Sequence, residues 1–581
     1  MTVATPLACV TVHDLVIRNG TVVDGSGAPP IVADVALDGD VIAAVGGDVG
    51  RGRREVEADG LVVTPGWVDM HTHYDAQATW DPELTPSGWH GVTTVVMGNC
   101  GVGFAPAAPD RREWLIRLME GVEDIPGAAL TEGIQWEWES FEGYLDALER
   151  RSWVMDVGTQ MPHGALRAYV MGERGAANET ATPDDLASMT RLATSALQAG
   201  ALGVSTSRTP LHRSVDGELV PGTEADEDEI MALGDALRAA GHGVFQGALH
   251  HPDVPASFGW MRRLAQRSGR RVTFNFQQTD AAPDLWRDVA GLLDQAQADG
   301  IEVYGQVHGR PVGILMGWSA TIHPFSTSAG WGPVAFLSPA DRVARLRADV
   351  EARDAVIHGE RADMGQFVAS LTSSWHKMFP FRGETDYEPP ASQSVASIAE
   401  REGRDPAEVA FDVLMEDDGQ GLLYYPLFNY SDGNLDALWE LHQHPRTRMG
   451  LADGGAHVGS ICDGSTPSFM VAFWSRDRVR GPHLPLELVV RRQTRETAEH
   501  YGLLDRGLLA PGLRADVNVI DLEALGIDPP RMAWDLPTGA RRFVQGSQGY
   551  RFTIAAGEVV REDDEFTGVR PGRLLRGPQT A

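Results

Sequence analysis

At 581 residues the chain is too long for one simple core, so a large domain with at least one smaller companion is expected. A hydrophobic share of 43% against 22% charged residues is that of a globular enzyme, and no window holds 18 uninterrupted apolar residues, which argues against a helical membrane span. A formal charge of -32 argues against nucleic acid or an anionic membrane surface as partner.

In chain order, the first stretch, Met1 to Val10, has neither a basic region nor a following apolar run; no signal peptide is expected, and the protein reads as cytoplasmic. Residues 12–64 alternate in short runs broken by Asn-Gly and Asp-Gly turns, the pattern of β-hairpins. The apolar runs Val62-Val63-Thr64 and Gly66-Trp67-Val68-Asp69-Met70 then deliver His71-Thr72-His73 at a strand end. Short apolar strands at 92–97, 201–205, 243–246, 272–276, 301–304 and 447–451 alternate with helical stretches at 184–200, 224–240, 283–299 and 340–355. This alternation predicts an α/β fold, a (β/α)8 barrel, whose chemistry gathers at the C-terminal strand ends. The segment 320–425, with Pro380, Pro389 and Pro390, exceeds any ordinary connection and reads as an insertion placed to cover the site. Beyond 505 the strand-and-turn pattern returns. Residues 1–64 and 505–581 are therefore expected to build one small β-sandwich beside a barrel of residues 65–504. A homo-oligomer is expected for so large a barrel.

Residues i and i+2 of a strand point the same way, so His71 and His73 project together, as a divalent metal requires of adjacent ligands. A His-x-His is common by chance, and two solvated histidines are the bland alternative; the position after a Thr-Pro-Gly turn favours the metal. Lys377 is the only lysine, so a Schiff base or a carboxylated-lysine bridge must use it or fail. Three cysteines, Cys9, Cys100 and Cys462, are no disulfide framework, and Cys9 and Cys462 read as inert.

The segments Asp14–Gly25, Pro65–Asp75, Gly91–Gly101, Leu451–His457 and Gly507–Asp516 resemble the N-acyl-D-amino-acid deacylases of the amidohydrolase superfamily, in family order over nearly the whole chain. The resemblance implies a metal-dependent hydrolase of a non-peptide C–N bond, acting on an N-acyl (D-)amino acid or related small amide, with one or two divalent ions, zinc foremost. It implies that His71 and His73 bind metal, that Cys100 replaces the carboxylated lysine of related enzymes, and that Asp453 binds metal and serves as general base and then acid. The sequence departs from the family where strands 5 and 6 should each bring a histidine. It reads Val244-Phe-Gln-Gly-Ala-Leu-His-His251 and Phe274-Asn-Phe-Gln-Gln278. His250 stands nearby as a further candidate ligand.

Asp453, between Ala452 and two glycines, suits a base that substrate must approach closely, or else a turn-stabilising aspartate. Cys100 is a thiolate ligand or a small core cysteine. Arg208 and Arg310 follow strands and are candidates for a substrate carboxylate. His163, His308 and His457 are candidates for lining the pocket. Two other readings stay open: a cyclic-amide hydrolase on the same fold, and a barrel that binds without metal.

Overall fold

The structure, a computed structural model, describes residues 12–383 and 385–581; the N-terminal segment with Cys9 lies outside them. Eight parallel strand positions form the barrel: β1 (Trp67–Asp69), β2 (Val92–Met97), β3 (Asp156–Thr159), β4 (Gly203–Arg208), β5 (Val244–Leu249), β6 (Val272–Asn275), β7 (Val303–Val307) and β8 (Thr447–Met449). They pair in sequence order, with β3 continued at Met161–Pro162 to meet β4. Their near-continuous burial is that of a parallel sheet covered on both faces.

The ring closes between β8 and β1 through the residues just beyond the strands. Thr72 bridges Gly454 in parallel. The amide of His73 donates to the Gly454 carbonyl at 2.8 Å, and that of Asp453 to the His71 carbonyl at 3.1 Å. The two motifs therefore meet at the seam of the barrel.

Amphipathic helices cover the ring, among them α1 (Arg112–Glu123), α2 (Pro183–Ala199), α3 (Glu227–Ala240), α4 (Val254–Ser268) and α5 (Leu285–Ala298). Helix α2 shows why such segments fold. Thr182 and Asp185 form a capping box, Pro183 opens the first turn, and Met189, Ala193, Ala196 and Leu197 bury one stripe.

Strands from both chain ends join in a single nine-stranded sheet, where Val62–Pro65 pairs with both Val12–Val22 and Val517–Ile520. Between β7 and β8 the chain leaves the barrel. Val312–Met316, Phe379–Phe381 and Leu422–Phe428 form a three-stranded antiparallel sheet. A separate core around Trp318, Phe325 and Phe411 supports it.

Candidate metal centre

The stretch after β1 turns His71 and His73 into the C-terminal mouth of the barrel, where both are buried at 0% and 2% side-chain exposure. The loop after β8 brings Asp453 against them, its Oδ1 3.4 Å from His71 Nε2 and 3.7 Å from His73 Nε2. The loop after β2 adds Cys100, whose Sγ lies 3.3 Å from His71 Nε2. Ligand atoms of His71, His73 and Cys100 all fall within 4.8 Å of one another.

Backbone geometry holds these groups in place at a cost. Cys100 (φ 56), Asp453 (φ 47) and His457 (φ 49) are all in the left-handed region, which costs a non-glycine residue on the order of 1–3 kcal/mol. The cysteine loop is pinned from two neighbouring strands. Gln246 of β5 accepts the Cys100 amide at 2.7 Å, while Ser205 of β4 accepts the Gly101 amide at 2.9 Å and donates to the Gly98 carbonyl at 2.5 Å. A Cβ at Gly101 would stand 2.5 Å from the Ser207 amide nitrogen, and the φ there is 72°, so glycine is required.

The two imidazoles differ at the other nitrogen, which is hydrogen-bonded in His71 and not in His73. His71 Nδ1 donates to Gln306 Oε1 at 2.5 Å, which leaves Nε2 as a lone-pair donor toward Cys100 and Asp453. His73 Nδ1 lies 3.2 Å from Glu123 Oε1, a carboxylate 1% exposed. Burial lowers the pKa of His71 to about 4. It acts the same way on His73, but Glu123, Asp453 and Cys100 together outweigh it and hold that ring's pKa well above the usual imidazole value. Burial would raise Asp453, yet His73 and His71 beside it keep its carboxyl well below the usual range. The buried Cys100 thiol is pushed up to about 11.

Two imidazole nitrogens, a thiol sulfur and a carboxylate oxygen converging in a buried pocket are a donor set for a zinc-like divalent ion. The pinned tautomer of His71 fits that use, as does His73 Nε2, which faces Asp453 at 3.7 Å.

The other sequence candidates are distributed unevenly. His308, at the end of β7, is buried beside Asp453, its Nε2 3.1 Å from Gln277 Nε2, and burial lowers its pKa to about 4. His457 reaches within 3.7 Å of Glu123 and keeps 28% of its side chain exposed. Arg208 is half-buried at the end of β4; it donates to the Ala225 carbonyl at 2.7 Å and has no carboxylate at ion-pair distance among the described residues. His250 lies just past β5, half-buried and outside the His71–His73–Cys100 group.

Two candidates are committed to internal partners. Arg310 is 1% exposed and commits its guanidinium to Asp463 at 2.9 Å and to the Cys462 carbonyl at 2.6 Å, over the Tyr387 ring. Both ring nitrogens of fully buried His163 are used, by Thr206 at 2.9 Å and Glu229 at 2.8 Å. Their partners lie far away in sequence, and the strand-end position alone did not show them. Conversely, Glu123 and His212 were not singled out by any motif. His212 hydrogen-bonds Ser207 at 3.0 Å and stands within electrostatic reach of His457, His73 and Asp453.

A parallel barrel with a buried His-x-His, cysteine and aspartate at its C-terminal mouth, beside a sheet built from both chain ends, defines a metal-dependent hydrolase. The chain belongs to the amidohydrolase family, whose sequence signature matches residues 54–561. It is accordingly a hydrolase acting on carbon–nitrogen bonds other than peptide bonds. It is 28% identical over 540 residues to an uncharacterized protein of Mycobacterium tuberculosis (88% of this chain, 84% of that one). It is 27% identical over 580 residues to a D-aminoacylase of Alcaligenes xylosoxydans xylosoxydans (97% of each chain). The structure of an N-acyl-D-glutamate deacylase from Bordetella bronchiseptica, complexed with zinc and a phosphonate inhibitor, superposes with a TM-score of 0.64. At 22% identity it covers 98% of this chain and 100% of its own. No helix of the described residues is long and apolar enough to cross a membrane.

Proposed function

We propose that the chain deacylates an N-acyl amino acid, most naturally of D configuration, at a zinc-type centre held by His71, His73, Cys100 and Asp453. The observation that carries this reading is the convergence of His71 Nε2, Cys100 Sγ and Asp453 Oδ1 within 3.4 Å of His71 at the barrel mouth. The names of the deacylase relatives support the substrate class. When bound, a divalent ion lowers the pKa of water and polarises a carbonyl oxygen.

The chain's own residues do the rest. Asp453 is the carboxylate of the centre with access to the mouth, 14% exposed against 1% for Glu123. Ionised beside His73 and His71, it is our candidate to take a proton from the attacking water and pass it to the leaving amine. Arg208, with no carboxylate at ion-pair distance among the described residues, is our candidate for a substrate carboxylate. His457 and His308 flank Asp453 and line the approach.

The test combines metal and substrate. Protein purified without a metal-affinity step is assayed for zinc, manganese and iron by elemental mass spectrometry, then against N-acetyl D- and L-amino acids, hydantoins and lactams. Bound metal with turnover of N-acetyl amino acids, reduced about 10²-fold or more in Asp453→Asn, is expected. Turnover confined to the cyclic amides would replace the deacylase reading with a cyclic-amide hydrolase. Undiminished turnover in the Asn variant would remove Asp453 as the base.

A further inference from the structure

Glu123 is a carboxylate that the hydrolytic step above does not use, and its placement is costly. It is the last residue of α1, where the helix dipole presents its negative end, the wrong end for an anion. It is 1% exposed, and burying a carboxylate without a compensating charge is strongly unfavourable. No arginine or lysine offsets this: among the described residues its ion-pair contacts are two histidines, His73 at 3.2 Å and His457 at 3.7 Å. Neither its Oε2 nor the facing His73 Nδ1 makes a hydrogen bond, so the pair meets as an electrostatic contact.

The chain nevertheless fixes this position firmly. Asp124, the next residue, is left-handed (φ 53) and accepts hydrogen bonds from Thr321 at 2.8 Å and Ser460 at 2.7 Å. The end of α1 is thus tied both to the insertion and to the loop that carries Asp453. Packing and helix formation do not account for an acid held there; its histidine neighbours do.

We propose that Glu123 is a positioning residue of the centre, whose carboxylate pairs electrostatically with the Nδ1 side of His73 across 3.2 Å and so turns Nε2 toward the ion. His71 is set by a neutral amide, Gln306, at the equivalent nitrogen. The two imidazoles then differ in kind. A carboxylate behind a ligating histidine raises the basicity of the ring, and removing such a partner typically weakens metal binding 10- to 100-fold. The inference rests on the proposal that His73 is a ligand, and the experiment separates the two.

Cobalt(II) affinity of the metal-free full-length protein is measured by chelator competition and visible absorption for wild type, Glu123→Gln, Glu123→Asp, His73→Ala and the double variants. Glu123→Gln is expected to bind cobalt about 10- to 100-fold more weakly with an altered absorption envelope, and Glu123→Asp to recover part of the loss. In the His73→Ala background neither change at Glu123 should cost anything further, because the residue acts through that ring. Wild-type affinity and spectrum in Glu123→Gln, or losses that simply add in the double variant, would overturn the inference. If Glu123→Gln fails to fold, the Glu123→Asp arm of the same cycle decides it. Wild-type protein that binds no cobalt would instead overturn the metal reading, and this inference with it.

Discussion

His73 and Cys100 reach the centre carrying protons, whereas His71 does not. Burial holds His71 down to about 4, so its ring is already neutral at pH 7.5. The Cys100 thiol, raised to about 11, is neutral there and must lose a proton to become a thiolate ligand. His73, held well above the usual imidazole value despite burial, is protonated and must lose one as well. The sign follows: two groups have raised pKa values, the ion displaces a proton from each, and apparent metal affinity rises as pH rises through the neutral range. Calorimetric titration of the metal-free protein with zinc, in two buffers of different ionisation enthalpy, should report release of about two protons per ion. Cys100→Ser should reduce that to about one. Release of no protons in wild type would mean that the thiol and the ring are not both ligands. Asp453, already ionised, contributes none.

At the scale of single elements, the cysteine loop and the loop after β8 both hold left-handed residues at the site, and each is pinned by a strand neighbour. Gly101→Ala adds a Cβ 2.5 Å from the Ser207 amide at a φ of 72°, so the loop must move and take Cys100 with it. We expect a fall in stability of about 1–3 kcal/mol and weaker cobalt binding, read as a thermal midpoint and a chelator competition. Strands β5 and β6 face the barrel with Gln246 and Thr273, and the Gln246 carbonyl is already spent on the Cys100 amide. From the four-donor set we expect one ion per chain. Elemental analysis giving two would require ligands that this arrangement does not supply. What the sequence made legible follows the same division. His71, His73, Cys100 and Asp453 sit in contiguous motifs beside turns, so the residues themselves announce a strand end. Strand β3 was not among the expected strands, being four residues long with Gly158 inside it. Glu123 carries no motif, for it lies at a helix end and meets His73 only through the tertiary fold. Arg310 and His163 looked free because Asp463 and Glu229, which bury them, lie 153 and 66 residues away in sequence.

For the whole molecule, the question is how the barrel and the sheet made from both chain ends act as one body. Asp156, at the start of β3 and thus at the end of the barrel opposite the metal centre, gathers the link. It is 1% exposed and accepts from Arg506 at 2.8 Å, from Arg514 at 3.0 Å and from the Arg573 amide at 2.9 Å. Arg506 also reaches Thr94 of β2 at 2.7 Å, and Asp505 and Asp516 share its charge. A second tie runs from Trp67 of β1 through the Tyr550 hydroxyl, at 3.0 Å, to the His90 carbonyl at 2.8 Å. Breaking a buried pair by removing one partner leaves an uncompensated charge, at about 3–5 kcal/mol. Asp156→Ala removes a shared partner of two guanidinium groups but leaves Asp505 beside Arg506 and Asp516 beside Arg514, so the loss should lie at the lower end of that range, seen as a lower unfolding midpoint. The centre itself should be untouched, because its ligands come from the other end of the strands. Zinc at a fixed excess stabilises the fold by an increment set only by its free concentration and its dissociation constant. That increment should be equal in wild type and Asp156→Ala, with both baselines displaced together. An increment that shrinks in the variant would show that the outer sheet helps to shape the metal centre, and the two ends of the barrel would then have to be treated as coupled.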